Sequence, residues 1–349
     1  MIRVGAIAAA SGFVLIELLV PAIKAMCVRW GLYDRPGPLK IHTQPIPRLG
    51  GIAVTIAILG GIVISARFST SEILPFLTAI ILLCIVGAVD DIGGLSAATR
   101  LAAQVVAGAI LWYSSGRLPV LGVGAAGLAA SCIFTVVMVN ASNFIDGADG
   151  IAGGVTVIIA IFYCMLPWPH GDHLALAVAS ALAGACGGFL AFNFPLPSAE
   201  IFLGDAGSTV LGLCIAFLSM NFWRSSFGTG PRVLFPLVVA GLPLIDMALA
   251  IIRRVRARAS PFFGDRRHFS DLMLRRGWSA RAVATTCYGV TIFFGLIGFI
   301  GLRAKAAVFL ILAGLGAATF LATAIRLGAL QHDTEGADEA PKGLAEMGR

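Results

Sequence analysis

About eleven apolar stretches follow one another through this chain, each long enough to cross a hydrocarbon layer of about 30 Å as a helix rising 1.5 Å per residue. They lie at roughly 5–24, 49–66, 73–90, 99–115, 122–141, 151–167, 173–194, 206–223, 232–252, 283–302 and 306–325. Such runs are too long, and too poor in period-two alternation, for barrel strands. Helices satisfy their own backbone hydrogen bonds inside lipid. Only 12% of the 349 residues are charged, against about 25% in a soluble chain, so most of the surface must face lipid. The expected fold is all-α and polytopic, with about eleven transmembrane helices, or ten if the 206–223 run or the closing pair is miscounted. The first run exceeds a usual signal-peptide core and is followed by charges rather than a cleavage site, so it reads as a retained helix. Residues 1–330 are expected to form one transmembrane unit, and the polar 331–349 segment a mobile cytoplasmic tail.

Orientation follows from the basic residues. With the N-terminus outside, 18 of the 25 Lys and Arg fall on one face, nine of them between Arg253 and Arg281. The positive-inside bias makes that face cytoplasmic, places the C-terminus there too, and accounts for most of the formal +7 charge. The protein is therefore expected in a cytoplasmic (inner) membrane. Its seven cysteines are scattered through the apolar spans with no CxxC pair, which argues against a disulfide framework or a zinc site.

Sorting the acidic residues by side is more informative. Asp90 and Asp91 end the third span, Asp146 and Asp149 follow the fifth, and Asp205 precedes the eighth, all on the positive face. The opposite face has only Glu72 and Asp172. A lone DG beside a span is what a turn uses. Several acidic motifs on one face, each at a helix end, are instead what a bundle can gather into one site.

The stretch Asn140 to Gly150, NASNFIDGADG, puts Asn140, Asn143, Asp146 and Asp149 three residues apart. On a 3₁₀ turn they would form one row; on an α-helix they would drift around the axis, and Gly147 and Gly150 favour a mixed turn. Oxygen-only ligands suit Mg²⁺ or Mn²⁺, and Mg²⁺ is usually held by one or two carboxylates plus substrate phosphates. Lys40, Arg48, Arg266, Arg267 and His268 lie on the same face and could balance the clustered carboxylates. Two N-terminal helix ends add candidate anion sites: Gly50–Gly51 after KIHTQPIPRL, and GDAGS with Ser208 as its N-cap. Asp246, seven residues before Arg253, reads as a structural partner as readily as a catalytic group.

Five pieces, KIHTQPIPRLGG, VDDIGGLSAATRLAAQ, NASNFIDGADGIAGG, FNFPLPSAEIFLGDAGSTVLG and PLIDMALAIIRRVRARASPFFGDRRH, run in order from about residue 40 to 276. Together they resemble the polyprenyl-phosphate N-acetylhexosamine-1-phosphate transferases, glycosyltransferase family 4. The resemblance implies that a polyprenyl phosphate, usually undecaprenyl, attacks the sugar-bearing phosphorus of a UDP-N-acetylhexosamine. UMP leaves, and a lipid-diphosphate sugar remains for a surface polysaccharide. It implies Mg²⁺ or Mn²⁺ as cofactor. The implied partners are a UDP-sugar, a polyprenyl phosphate and the lipid bilayer, with a homodimer allowed and no nucleic acid.

Carried over residue by residue, the resemblance makes Asp90, Asp91, Asp146 and His268 the catalytic candidates. It assigns substrate binding to Lys40, Arg48, Asn140, Asn143, Asp149 and Arg267, and metal binding to Asp205, Asp146 and Asn143. A phosphate monoester with a second pKa near ~6 is already mostly dianionic at pH 7, so positioning suits the Asp90–Asp91 pair better than proton removal. The chain departs from the family where the GlcNAc-1-phosphate branch reads His-Ile-His-His: here it is His268-Phe269-Ser270-Asp271. Only His268 is carried over, nothing is carried onto Phe269, Ser270 or Asp271, and the departure leaves the sugar open; Ser270→Ala and Asp271→Ala should be mild if those positions only help choose it. The rival from another class is an ion- or proton-coupled transporter. That would place its carboxylates near the bilayer midplane on broken helices, whereas here they cluster at helix ends.

Overall fold

The computed structural model describes residues 1–34, 44–66, 68–114, 124–166, 168, 172–194, 196, 198–225, 229–260 and 267–331. Lys40, Arg266 and the segment 332–349 lie outside the described residues. The chain folds as thirteen α-helices among the described residues, with one minimal sheet and a 3₁₀ helix, Gly230–Leu234, that runs directly into α9. α1 is Ile2–Trp30, α2 Gly50–Ser65, α3 Thr70–Gly93, α4 Ala97–Ser114, α5 Ala125–Phe144, α6 Ile151–Cys164 and α7 His173–Asn193. α8 is Gly204–Arg224, α9 Phe235–Val239, α10 Gly241–Arg256, α11 Phe269–Arg275, α12 Ala280–Gly301 and α13 Ala306–Arg326. β1 (Tyr33–Asp34) pairs antiparallel with β2 (Ile46–Pro47) in the first connection.

Each of the eleven apolar stretches overlaps a helix, but the helices are not equivalent. α1, α3, α5, α7, α8, α12 and α13 are long and apolar enough to cross a membrane, and α9 with α10 makes an eighth candidate. α2 and α6 are shorter apolar helices, and α4 carries Arg100 and Gln104 in its N-terminal half. The expected continuous helix over 232–252 is broken: its two halves meet at 75° around Ala240. The break has a local cause. Pro243 has no backbone N–H and its ring collides with the carbonyl four residues back, that of Val239.

Local chemistry sets several of the helix starts. α3 opens on a capping box in which the Ser69 amide and hydroxyl both reach Glu72. α12 opens on Ser279, whose hydroxyl accepts the Ala282 amide. α8 lies at the centre of the bundle with nearly every side chain from Ala206 to Trp223 buried, and α3, α5, α2 and α7 pack around it. The α2–α8 approach depends on glycine: a Cβ on Gly51 would sit 2.0 Å from the Gly207 amide nitrogen. This contact fixes the start of α8 against α2, where the acidic residues gather. All seven cysteines are unpaired, as their scatter implied, and Cys27, Cys186, Cys214 and Cys287 are buried.

Candidate active site

The ends of α3, α5 and α8, the start of α4 and the 145–150 turn meet at one point. α5 continues through Asn140 and Asn143, so these two lie one helical turn apart; the chain then leaves the helix, and Asp146 and Asp149 sit in the turn. Gly150 closes the turn at φ 75°. Its amide donates to Asn193 Oδ1 at 3.0 Å, and the Tyr288 hydroxyl donates to its carbonyl at 2.6 Å.

Asp91 does something the sequence did not suggest. Leu203, the residue before α8, makes no side-chain cap. Instead Asp91 reaches across from α3: its Oδ1 accepts the Asp205 amide at 2.9 Å and its Oδ2 the Ala206 amide at 3.0 Å. The carboxylate thus satisfies two otherwise unpaired amides at the positive end of the helix dipole. Gly204 permits this, with φ 70° and no side chain; a Cβ there would lie 2.6 Å from Asp91 Oδ2. Ser208 is therefore not the N-cap. It lies fully buried inside α8 and accepts from Asn143 Nδ2 at 2.9 Å.

Asp90 and Asp205 face a common cation. Arg100 Nη1 donates to Asp90 Oδ2 at 2.9 Å and lies 3.4 Å from Asp205 Oδ2, while Asp90 Oδ1 accepts the Leu95 amide. Asn143 Nδ2 also donates to Asp205 Oδ1 at 2.8 Å, so the Asn143 oxygen is its only possible ligand atom. Asn140 Nδ2 donates to Gln104 Oε1 at 2.6 Å, and Asp149 Oδ2 accepts the Ala199 amide at 3.2 Å. Asp146 completes the group. Desolvation first, then the charges of Asp205, Asp91 and Asp149, push it well above the ordinary carboxylate range.

The other candidates are engaged elsewhere. Arg48 donates to the backbone carbonyl of Asp91 at 2.7 Å and pairs with Asp34, so it clasps the first connection to the end of α3. Arg267 Nη1 donates to the Gln331 carbonyl at 3.0 Å. The expected backbone anion site before α2 is also occupied by protein: the Gly50 and Gly51 amides donate to the carbonyls of Phe202 and Leu203. Asp246 is paired with His268 and not with Arg253: His268 Nδ1 and Asp246 Oδ2 are 2.7 Å apart. Asp271 is buried, and its carboxylate accepts the His268 amide at 3.2 Å in a capping box that starts α11.

Sequence reasoning missed Arg100, which had counted only toward orientation, and Gln104. The available signal was their position on the first turns of the helix that follows Asp90–Asp91. Arg100 also borders a cavity of about 240 Å³ between α4, α5, α8 and α10. Asn143 and Asp205 share that cavity with Arg100, and Leu101, Val137, Met247 and Ile251 give it an apolar wall.

The donor set fits a hard divalent cation. Its atoms are carboxylate and amide oxygens, and Asp146 lies against three like charges that a cation would offset. Among the described residues no group of three or more His, Cys, Asp or Glu side chains is arranged to hold an ion unaided.

The chain is 32% identical over 314 residues to the decaprenyl-phosphate N-acetylglucosaminephosphotransferase of Mycobacterium tuberculosis, covering 79% of this chain and 76% of that protein. This chain belongs to glycosyl transferase family 4. The family's sequence model matches residues 73–222, which include Asp90, Asp91, Asn140, Asn143, Asp146, Asp149 and Asp205. Two further family members are similar over comparable lengths. The probable undecaprenyl-phosphate N-acetylglucosaminyl 1-phosphate transferase of Bacillus subtilis is 29% identical, covering 81% of this chain and 79% of its own. The undecaprenyl-phosphate alpha-N-acetylglucosaminyl 1-phosphate transferase of Escherichia coli K12 is 27% identical, covering 79% and 77%. Family membership and the position of the acids at helix ends leave the transporter reading without support.

Proposed function

We propose that this glycosyl transferase family 4 member transfers N-acetylglucosamine 1-phosphate from UDP-N-acetylglucosamine to a polyprenyl phosphate. The observation that carries this reading is the junction of two chemistries: the Asp90–Asp91–Asp146–Asp205 cluster, and beside it the cavity with Arg100 on one side and apolar residues on the other. A lipid phosphate is the ligand whose two halves match such a cavity. The acceptor phosphate lies against Arg100, and its first isoprene units lie along Leu101, Val137, Met247 and Ile251.

In the reaction an acceptor phosphate oxygen forms a bond to the sugar-bearing phosphorus. The bond from that phosphorus to the bridging oxygen breaks, and UMP departs with the electron pair. Asp205, Asp146 and the Asn143 oxygen would hold Mg²⁺ or Mn²⁺, which when bound supplies positive charge to the donor diphosphate. Arg100 steers the acceptor and balances Asp90 and Asp205 until it arrives. Asp91 keeps the start of α8, and with it Asp205, in register. Because the acceptor is already largely dianionic at neutral pH, no carboxylate need take a proton from it.

The basic-residue bias supports an orientation with the N-terminus outside, this site at the cytoplasmic surface and the C-terminus on the same side. The test of the reaction is UMP release by purified protein given undecaprenyl phosphate, Mg²⁺ and a panel of UDP-sugars, with and without EDTA. Release that needs both lipid and metal, with UDP-N-acetylglucosamine as the preferred donor, is the expected result. Release from a different donor would correct the sugar, and none from any donor in folded protein would refute the transferase reading.

A further inference from the structure

One buried acid near the site has no part in the chemistry above. Asp246 lies in the first half of α10 and is 4% exposed. Its two oxygens do different jobs. Oδ2 faces His268 Nδ1 at 2.7 Å, and Oδ1 accepts the Phe269 backbone amide at 2.7 Å. The His268 ring in turn packs edge-on against Phe144, with centroids 5.4 Å apart. Phe144 lines the acceptor cavity and has the Arg254 guanidinium over its ring at 4.9 Å. The ring of His268 is thus held from α10 and braced by the end of α5, while its backbone is held separately by Asp271.

We propose that Asp246 is the positioning residue of His268, setting which ring nitrogen carries the proton and so which one meets the substrate. An ionised carboxylate can only accept, so the Nδ1 facing it must carry a hydrogen. Nε2 is then the ring nitrogen left to meet the substrate, as an acceptor when the ring is neutral and as a donor when it is charged. The second oxygen fixes the start of α11, so one residue joins the loop to α10 and orients the ring. This deepens the transferase reading and rests on it for the identity of the substrate.

Asp246→Asn separates the two jobs. The Asn oxygen can still accept the Phe269 amide, which turns the NH₂ toward Nδ1 and forces the ring proton onto Nε2. The expected result is a normally folded protein whose kcat for UMP release falls about 10²–10⁴-fold, the range a wrong histidine tautomer can cost, with KM for the UDP-sugar within about threefold. Added to His268→Gln, Asp246→Asn should change kcat by less than about twofold, because a residue acting only through His268 has nothing left to orient. A further tenfold loss in that background would overturn the proposal. The ¹⁵N spectrum of histidine-labelled protein, with the His268 signals assigned by their loss in His268→Gln, reads the tautomer without turnover. It should show protonated Nδ1 in the parent protein and protonated Nε2 in Asp246→Asn; the same tautomer in both would overturn the proposal even if His268→Gln leaves no turnover to compare. Absence of UMP from the parent protein would instead count against the transferase reading, while the spectrum still decides the role of Asp246.

Discussion

Replacing Asp91 by Asn distinguishes a helix cap from a proton acceptor. In the structure its two oxygens hold the Asp205 and Ala206 amides at 2.9 and 3.0 Å. Asn can serve one amide with its oxygen but turns an NH₂ toward the other, leaving a half-buried donor without a partner at a cost of about 1–3 kcal/mol. Removing a full negative charge from a helix N-terminus costs about 0.3–1 kcal/mol more. Relief of repulsion against Asp90 and Asp146 offsets part of this, on the order of 1 kcal/mol for charges near a protein surface. A net loss of about 1–2 kcal/mol should lower the melting temperature by about 1–3 °C for a chain of 349 residues. The chain carries its own reporters: Cys186 and Cys214 are unpaired and no more than 1% exposed. A thiol-reactive dye added during a thermal ramp in mild detergent therefore reports unfolding, provided heating rates are matched, since such melts are irreversible. Turnover should fall as well, because Asp205 rides on the same helix start. A purely catalytic carboxylate surrounded by like charges would show lost turnover with an unchanged or higher melting temperature. That outcome would refute the capping argument.

Asp146→Asn should behave in the opposite way. A carboxylate whose folded pKa is raised binds its proton more tightly in the folded state, so stability is lost as pH rises from the ordinary value of 3.8 through the raised one. EDTA-treated Asp146→Asn should therefore melt higher than the parent at neutral pH, though it should release no UMP. In the parent, the Mg²⁺ concentration for half-maximal rate should increase as pH is lowered toward the raised pKa, because the proton and the ion compete for Asp146. Arg100→Ala should raise KM for the lipid acceptor and lower kcat/KM about 10–100-fold, the loss of about 1.5–3 kcal/mol for a charged hydrogen bond, with Arg100→Lys in between; equal kcat/KM in all three would remove Arg100 from acceptor binding. Gly51→Ala places a Cβ 2.0 Å from the Gly207 nitrogen and should cost about 1–3 kcal/mol or more by forcing α2 from α8, read as a lower melting temperature in the same dye assay.

The apolar stretches marked the helices because crossing a hydrocarbon layer demands about 20 consecutive apolar residues, a requirement local enough to read from sequence. The gathering of Asp90, Asp91, Asp146 and Asp205 was legible too, since helix ends on one face of a bundle meet. What each side chain does there was not. Asp91 caps a helix that starts more than a hundred residues later, and Asp246 meets His268 in the next helical segment and not Arg253 on its own. Both pairings are fixed by packing, as is the use of Gly50 and Gly51 to bring α2 onto α8. The break at Ala240 had local signals in Pro236, Gly241 and Pro243, outweighed in the sequence by the apolar run that contains them.

The apolar wall of Leu101, Val137, Met247 and Ile251 beside Arg100 bears on how supply of the acceptor is felt. A lipid reaching that cavity is searched for in two dimensions, so the quantity that sets occupancy is its mole fraction in the surrounding amphiphile and not its amount per litre. Adding detergent at constant total acceptor should slow the reaction, whereas adding buffer at constant acceptor-to-detergent ratio should not.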